Sequence, residues 1–152
     1  MLDDKVAPRK NAFSKCWEYE LLDDVKLEYG SETIVVPRYF SYDGATIPSL
    51  AWNAMYTPFD PIVMTPALIH DWLYANHQLE KFDADCVFRN LLRDNGVPQS
   101  KAELMFRGVG FFGEAAWENS SDDIKYLRWL RKKLVDDGVS VAKYRFPPEV
   151  DS

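Results

Sequence analysis

The fold is decided by TPALIHDWLYANHQ, residues 65–78, and by FDADCVFRNLLRD, residues 82–94. Thr65 and Pro66 combine a threonine cap with proline at the first helical position, and they predict a helix that runs to about Gln78. In the second stretch apolar side chains recur at the i, i+3, i+4 spacing of a buried stripe, and Gly96 ends it. Because only a few residues separate the two stretches, we predict an antiparallel helical hairpin.

The first helix carries the side chains with the most chemistry. At about 100° per residue, apolar side chains take one side of it, and His70, Asp71 and Tyr74 take the other. These three types are unusual together on a face that only meets water, where lysine, glutamate and arginine dominate. Asp85 lies at the edge of the apolar stripe of the second helix, so its carboxylate needs a partner. In the hairpin that partner is the imidazole of His70 or the hydroxyl of Tyr74.

This grouping supports two hypotheses. In the first, Asp85 holds one ring nitrogen of His70, the other nitrogen takes a proton from water, and Asp71 binds a hard cation. In the second, His70, Tyr74 and Asp85 form a buried hydrogen-bond network that only locks the two helices together.

The remaining segments predict an α+β protein with a single domain, 1–152, in which a small sheet precedes the helices. Residues 1–14 are predicted as an irregular lead-in, 15–40 as a small antiparallel β-meander, and 41–64 as a proline-containing loop. Residues 65–138 are predicted as a four-helix region, whose third helix spans about 99–117 and whose fourth begins at Ser121. The tail, 139–152, is predicted to be extended.

A literal GxGxxG, GVGFFG at residues 108–113, falls inside the third predicted helix. Since it does not follow a strand, its glycines are interpreted as helix-packing contacts and not as a dinucleotide cradle.

Composition excludes several classes of function. The 152 residues are 47% hydrophobic and carry a net charge of −6, which argues against nucleic acid as the main partner. The two cysteines make neither a disulfide framework nor a zinc motif. No apolar run approaches the roughly 18 residues of a transmembrane segment, and the N-terminus lacks the pattern of a signal peptide. We therefore expect a soluble protein made in a reducing cytoplasm.

The order of motifs along the chain resembles the phage-encoded domain-of-unknown-function family 1353. The matching motifs are Val36-Pro37, Phe40, Asp43-Gly44-Ala45-Thr46-Ile47-Pro48, Ala67 through Tyr74, and Ala84-Asp85-Cys86-Val87-Phe88. The resemblance implies a phage or prophage origin. It places the protein in the host cytoplasm during infection, with association with the virion as a further expectation.

The hairpin by itself resembles phospholipase A2, particularly the version in small viral capsid proteins. There Ala-x-x-His-Asp-x-x-Tyr lies on one helix and Ala-Asp-x-x-Phe on an antiparallel one. The resemblance implies that His70 is the general base, that Tyr74 and Asp85 are the hydrogen-bonding partners behind it, and that Asp71 is a calcium ligand. The nearest candidate for the calcium loop is around Asp43 and Gly44. Calcium would stabilise the oxyanion at the carbonyl of a phospholipid or other lipid ester.

The sequence therefore predicts one of two classes of function. The first is a calcium-dependent lipid-ester hydrolase. The second is a non-catalytic virion or phage-assembly protein, in which the same residues are structural and phage virion proteins are the partners. Exposed aromatic residues in the loop before the site, Trp52, Tyr56 and Phe59, would serve either class by meeting a lipid surface or a protein.

Overall fold

The computed structural model describes residues 6–10, 17–42, 61–119 and 121–151. In these ranges the strands precede the helices, and the prediction of an α+β fold is confirmed. The strands are β1 (Val6–Lys10), β2 (Trp17–Leu21), β3 (Val25–Tyr29), β4 (Glu32–Val36) and β5 (Ser41–Tyr42). The helices are α1 (Pro61–Asn76), α2 (Lys81–Asp94), α3 (Gln99–Phe112), α4 (Glu114–Trp117), α5 (Ser121–Asp136) and α6 (Pro148–Asp151).

The strands form two antiparallel sheets where the sequence predicted one meander. One sheet has the order β1-β2-β5, and the other is the β3–β4 hairpin. The hairpin closes through a two-residue turn in which Gly30 has a φ of 59°, a conformation that glycine adopts without a steric cost. The separation into two sheets follows from the pairing of β2 with β1 and β5 and not with β3.

One strand lies in the predicted lead-in, and another lies in the predicted loop. Val6–Lys10 is β1, where an irregular segment was predicted. Pro8 suppressed the strand signal, but β1 is at the edge of its sheet, where proline is tolerated because no further strand needs its missing N–H. Ser41–Tyr42, predicted as loop, pairs with β2.

The chain divides into two compact units. Among the described residues, the first unit comprises 6–10, 17–42, 119 and 121–151, and the second comprises 61–118. That the whole chain is one domain stays a prediction.

The first unit contains both sheets, α5 and α6. Its buried side chains include Leu21 and Ile34 from the strands and Leu127 and Leu130 from α5. Asp24 joins distant segments of this unit, because its carboxylate accepts hydrogen bonds from the Arg38 backbone N–H at 2.9 Å and from the Tyr144 hydroxyl at 2.8 Å. The end of the tail forms α6, a short helix where an extended segment was predicted.

The second unit contains α1 to α4. Helices α1 and α2 form the predicted antiparallel hairpin, since Asn95 at the end of α2 contacts Ile62 at the start of α1, and Asp85 contacts Tyr74 further along. The third predicted helix is divided at Gly113 into α3 and α4. No helix of the described residues is both long enough and apolar enough to span a membrane.

Helix α1 begins at Pro61, four residues before the predicted start, and Pro66 lies inside it. A proline in a helix leaves the carbonyl four residues earlier without its backbone donor. That carbonyl belongs to Ile62, and it accepts a hydrogen bond from the Asn95 side-chain amide at 3.0 Å. The helix therefore continues through Thr65-Pro66, the signal from which its start was predicted.

Candidate functional site

The hairpin brings together His70, Tyr74 and Asp85. One carboxylate oxygen of Asp85, Oδ1, lies 2.8 Å from Nε2 of His70 and accepts a hydrogen bond from the Tyr74 hydroxyl at 2.6 Å. The His70 and Tyr74 rings, one helical turn apart on α1, have centroids 4.1 Å apart. All three residues are buried, with 0% of His70, 1% of Tyr74 and 2% of Asp85 exposed. The predicted grouping of these side chains is therefore observed as one hydrogen-bonded cluster.

The charges in the cluster follow from burial and hydrogen bonding. Burial lowers the pKa of His70 below its ordinary value of 6.5, and it outweighs the opposite effect of Asp85. Burial alone would raise the pKa of Asp85, but the hydrogen bonds from His70, Tyr74 and Lys81 hold it below its ordinary value. Burial and the bond to Asp85 raise the pKa of Tyr74, which keeps its proton. At neutral pH the cluster thus has an ionised aspartate, a neutral histidine and a neutral tyrosine.

These charges determine the tautomer of His70. An ionised carboxylate only accepts hydrogen bonds, so Nε2 of His70 is the nitrogen that donates to Asp85. A neutral imidazole that donates from Nε2 has its basic lone pair on Nδ1.

Lys81 is a member of the cluster that the sequence did not predict. Its ammonium lies 3.1 Å from the second oxygen of Asp85, Oδ2. It also donates to the carbonyl oxygens of Val109 at 3.1 Å and Gly110 at 3.4 Å, near the end of α3. Lys81 therefore supplies a counter-charge for Asp85 and ties α3 to the hairpin.

The junction of α3 and α4 packs against Tyr74. A methyl group added at Gly113 would lie 2.9 Å from the Tyr74 hydroxyl and would clash with the Val109 carbonyl oxygen. The indole of Trp117 meets the Tyr74 ring edge-on, with centroids 5.2 Å apart. No pattern in the sequence connected Trp117 with the site, whereas Gly113 belongs to the GxGxxG whose glycines were interpreted as packing contacts.

The second histidine, His77, lies outside the cluster. It is exposed, it stacks on Trp117 with centroids 3.8 Å apart, and its Nε2 donates to the Trp117 carbonyl at 2.8 Å. Its φ of 56° is in the left-handed region, which ends α1 just before the predicted Gln78.

Of the predicted calcium ligands, the structure describes only Asp71. Asp71 directly follows His70 on α1, and the residue is 6% exposed. Carboxylate oxygens are ligands that Ca²⁺ prefers. The residues thus fit one ligand position. The described ranges contain no group of three or more histidine, cysteine, aspartate or glutamate side chains that could hold a metal ion. Asp43 and Gly44 lie outside the described residues, as do Trp52, Tyr56 and Phe59, and calcium stays a prediction.

Comparison with known proteins identifies the family. The family described as "Protein of unknown function (DUF1353)" matches residues 19–109. The chain belongs to the DUF1353 family. The DUF1353 match includes His70, Asp71, Tyr74, Lys81 and Asp85, and it ends before Gly113 and Trp117. The family resemblance predicted from the motifs is confirmed.

Two proteins of Sinorhizobium fredii (strain NBRC 101917 / NGR234) are similar to this DUF1353 chain. It is 32% identical to the uncharacterized protein y4jT over 78 residues. This aligned stretch covers 51% of the chain and 23% of that relative. It is also 32% identical to the uncharacterized protein y4iH over 71 residues. That stretch covers 47% of the chain and 30% of that relative. The matches thus span less than a third of each relative. No solved structure matches the chain.

Proposed function

We propose that this protein is a lipid-ester hydrolase of the phospholipase A2 type, with His70 as the general base. The observation that supports the proposal is the Asp85 carboxylate, which accepts from both His70 Nε2 and the Tyr74 hydroxyl. The resemblance to phospholipase A2 implied that Tyr74 and Asp85 are the hydrogen-bonding partners behind His70. A general base must be unprotonated before it acts, and the lowered pKa of His70 keeps it neutral at neutral pH.

Each residue of the cluster has a role in this proposal. Asp85 and Tyr74 hold the His70 ring so that Nδ1 carries the lone pair that takes a proton from water. Asp85 also stabilises the imidazolium that then forms, as a carboxylate does behind a catalytic histidine. Asp71 would hold calcium, together with ligands around Asp43 and Gly44. When bound, calcium supplies positive charge that stabilises an oxyanion at an ester carbonyl.

The complete burial of His70 favours a second candidate function. In it, the His70–Asp85–Tyr74 cluster is a polar core that fixes the hairpin in a non-catalytic virion or phage-assembly protein. Buried polar groups that are fully hydrogen-bonded do stabilise specific packing.

Fatty-acid release from phospholipid vesicles tests the two candidates. We would compare the wild type with His70→Ala and Asp71→Asn, each in millimolar calcium and in chelator. His77→Ala is the matched control, because it removes the exposed histidine and keeps His70, Tyr74 and Asp85 and the hydrogen bonds among them. The hydrolase predicts release that requires calcium, is abolished by His70→Ala, is reduced by Asp71→Asn and is retained by His77→Ala. No release by folded wild type, with thermal stability unaffected by calcium, would favour the structural candidate.

Phage origin, a site of action in the host cytoplasm and association with the virion are further proposals that rest on the resemblance alone. Purified virions of a phage that encodes this chain would test the last of these by immunoblotting.

A further inference from the structure

The outer face of α3 exposes large apolar side chains beside polar ones. Ala102, Met105 and Val109 form the buried stripe of this helix. The stripe opposite to it, which we call the α3 outer stripe, consists of Ser100, Leu104, Arg107 and Phe111, at i, i+4, i+7 and i+11. Leu104 is 52% exposed and Phe111 is 80% exposed. Phe112, beside the stripe, is 59% exposed, and its ring lies near that of Phe111.

The charges on α3 favour an anionic surface over a cationic one, because the helix has one more basic than acidic side chain. The helix has two basic side chains, Lys101 and Arg107, and one acidic side chain, Glu103. Glu103 faces Arg89 of α2, with 3.6 Å between the charged groups. The helix is therefore locally positive in a chain whose net charge is −6. Apolar side chains combined with arginine or lysine are typical of helices that lie in the plane of a membrane surface.

We propose that the α3 outer stripe is the surface with which this protein binds an anionic lipid bilayer. Leu104 and Phe111 are about 10 Å apart along the helix axis, on one face, so both enter the headgroup region when the helix lies flat. Arg107, between them on the stripe, meets the lipid phosphates. The proposal deepens the proposed hydrolase, on which it rests, by naming the surface that brings it to a lipid ester.

The helix that carries the stripe is hydrogen-bonded to a residue of the candidate site. Lys81 holds the Val109 and Gly110 carbonyls of α3 and the carboxylate of Asp85 at the same time. A bilayer that binds the outer stripe therefore contacts α3, the helix that Lys81 joins to the cluster.

Co-sedimentation with vesicles in chelator tests the surface without a contribution from hydrolysis. The vesicles contain phosphatidylcholine alone or phosphatidylcholine with phosphatidylglycerol. The variant is the double substitution Leu104→Ser and Phe111→Ser. The control is the double substitution Leu22→Ser and Val135→Ser, at two apolar residues of the other unit that are 55% and 49% exposed. Folding of each variant is checked by circular dichroism and thermal unfolding.

The wild type and the control are expected to bind the anionic vesicles, with weaker binding at high salt. The Leu104/Phe111 variant is expected to bind more than about tenfold more weakly, because two apolar side chains no longer leave water. Equal binding by the folded variant, no binding by the wild type, or equal binding to both vesicle types would overturn the proposal. Self-association of the wild type that the variant abolishes would overturn it too, since the stripe would then be a contact between copies.

A dispersed short-chain ester separates this proposal from the proposed function. Hydrolysis of that ester without vesicle binding would support the proposed hydrolase and contradict membrane binding by the α3 outer stripe. Stripe-dependent vesicle binding without hydrolysis of any ester would do the reverse.

Discussion

Two Lys–Asp pairs with i, i+4 spacing show how burial changes the importance of the same interaction. In Lys81–Asp85 the side chains are 17% and 3% exposed, and in Lys132–Asp136 they are 77% and 58% exposed. An exposed pair is screened by water, whereas removal of one partner from a buried pair leaves an uncompensated charge.

We therefore predict that Lys81→Met lowers the free energy of unfolding by about 2 kcal/mol. Lys132→Met, the matched control, should change it by less than about 0.5 kcal/mol. Urea unfolding followed by circular dichroism measures both. Equal effects of the two substitutions would show that Asp85 does not depend on Lys81 for its counter-charge.

At the scale of single residues, the sequence was informative where chemistry and spacing coincide. His70 and Tyr74 are one helical turn apart, and Asp85 interrupts an apolar stripe, so their meeting in a hairpin was predictable. Lys81 was not, because a lysine at a helix start is usually solvated, and its partners Val109 and Gly110 come from a distant helix. The burial of His70 was also not predictable, because a helical wheel cannot show which neighbouring helices cover the polar face.

The glycines near the end of α3 give a prediction at the scale of an element. Gly113→Ala should destabilise the protein by about 1–3 kcal/mol, since the new methyl group meets the Val109 carbonyl, which is backbone, and the Tyr74 hydroxyl. Gly110→Ala is the control, because nothing lies within 4 Å of its added methyl group. Alanine should even stabilise that helical position, by about 0.5 kcal/mol. Thermal unfolding of the two variants measures the contrast, and a Gly113→Ala protein as stable as Gly110→Ala would contradict it.

The Pro66–Ile62–Asn95 arrangement gives a second prediction at this scale. Asn95→Ala should lower the free energy of unfolding by about 1 kcal/mol in the wild type, because the Ile62 carbonyl loses its donor. In a Pro66→Ala background the helix supplies a backbone N–H at position 66, so the same substitution should cost less. A double-mutant cycle in urea measures this coupling, and strictly additive effects would show that the two donors do not substitute for each other.

Element boundaries show where local signals mislead. Thr65-Pro66 has the composition of a helix start, and only the side chain of Asn95, from another helix, shows why α1 begins earlier. Similarly, Val6–Lys10 is a strand because β2 pairs with it, although Pro8 is unfavourable for a strand. In both cases a tertiary contact outweighs the local preference.

At the scale of the whole molecule, acid should weaken the fold through Asp24. Burial alone would raise the pKa of this carboxyl, but hydrogen bonds from Lys143, Arg38 and Tyr144 lower it from 3.8 to about 2. Between a pH of about 2 and about 4, the folded protein therefore binds fewer protons at Asp24 than the unfolded chain does. The stabilisation from Asp24 is complete above a pH of about 4 and is lost as the pH falls toward 2.

We predict that Asp24→Asn lowers the urea midpoint near neutral pH and flattens its dependence on pH below about 4. The neighbouring, exposed Asp23→Asn should keep the pH dependence of the wild type. Urea titrations at a series of pH values from neutral to strongly acidic test this. A wild-type midpoint that does not fall in acid, or the same slope in Asp24→Asn, would contradict it.

The missing N–H of Pro66 has one further consequence. The Asn95 side chain of the hairpin is hydrogen-bonded to α1 at Ile62, and Asp85 of α2 is hydrogen-bonded to α1 at His70. These two points are about 12 Å apart along the axis of α1. If α2 slid along α1 by one turn, about 5.4 Å, both contacts would break together. Hydrogen bonds at two separated points thus oppose sliding of α2 along α1. The distance between His70 and Asp85 therefore depends on the Asn95–Ile62 contact as well as on their own hydrogen bond.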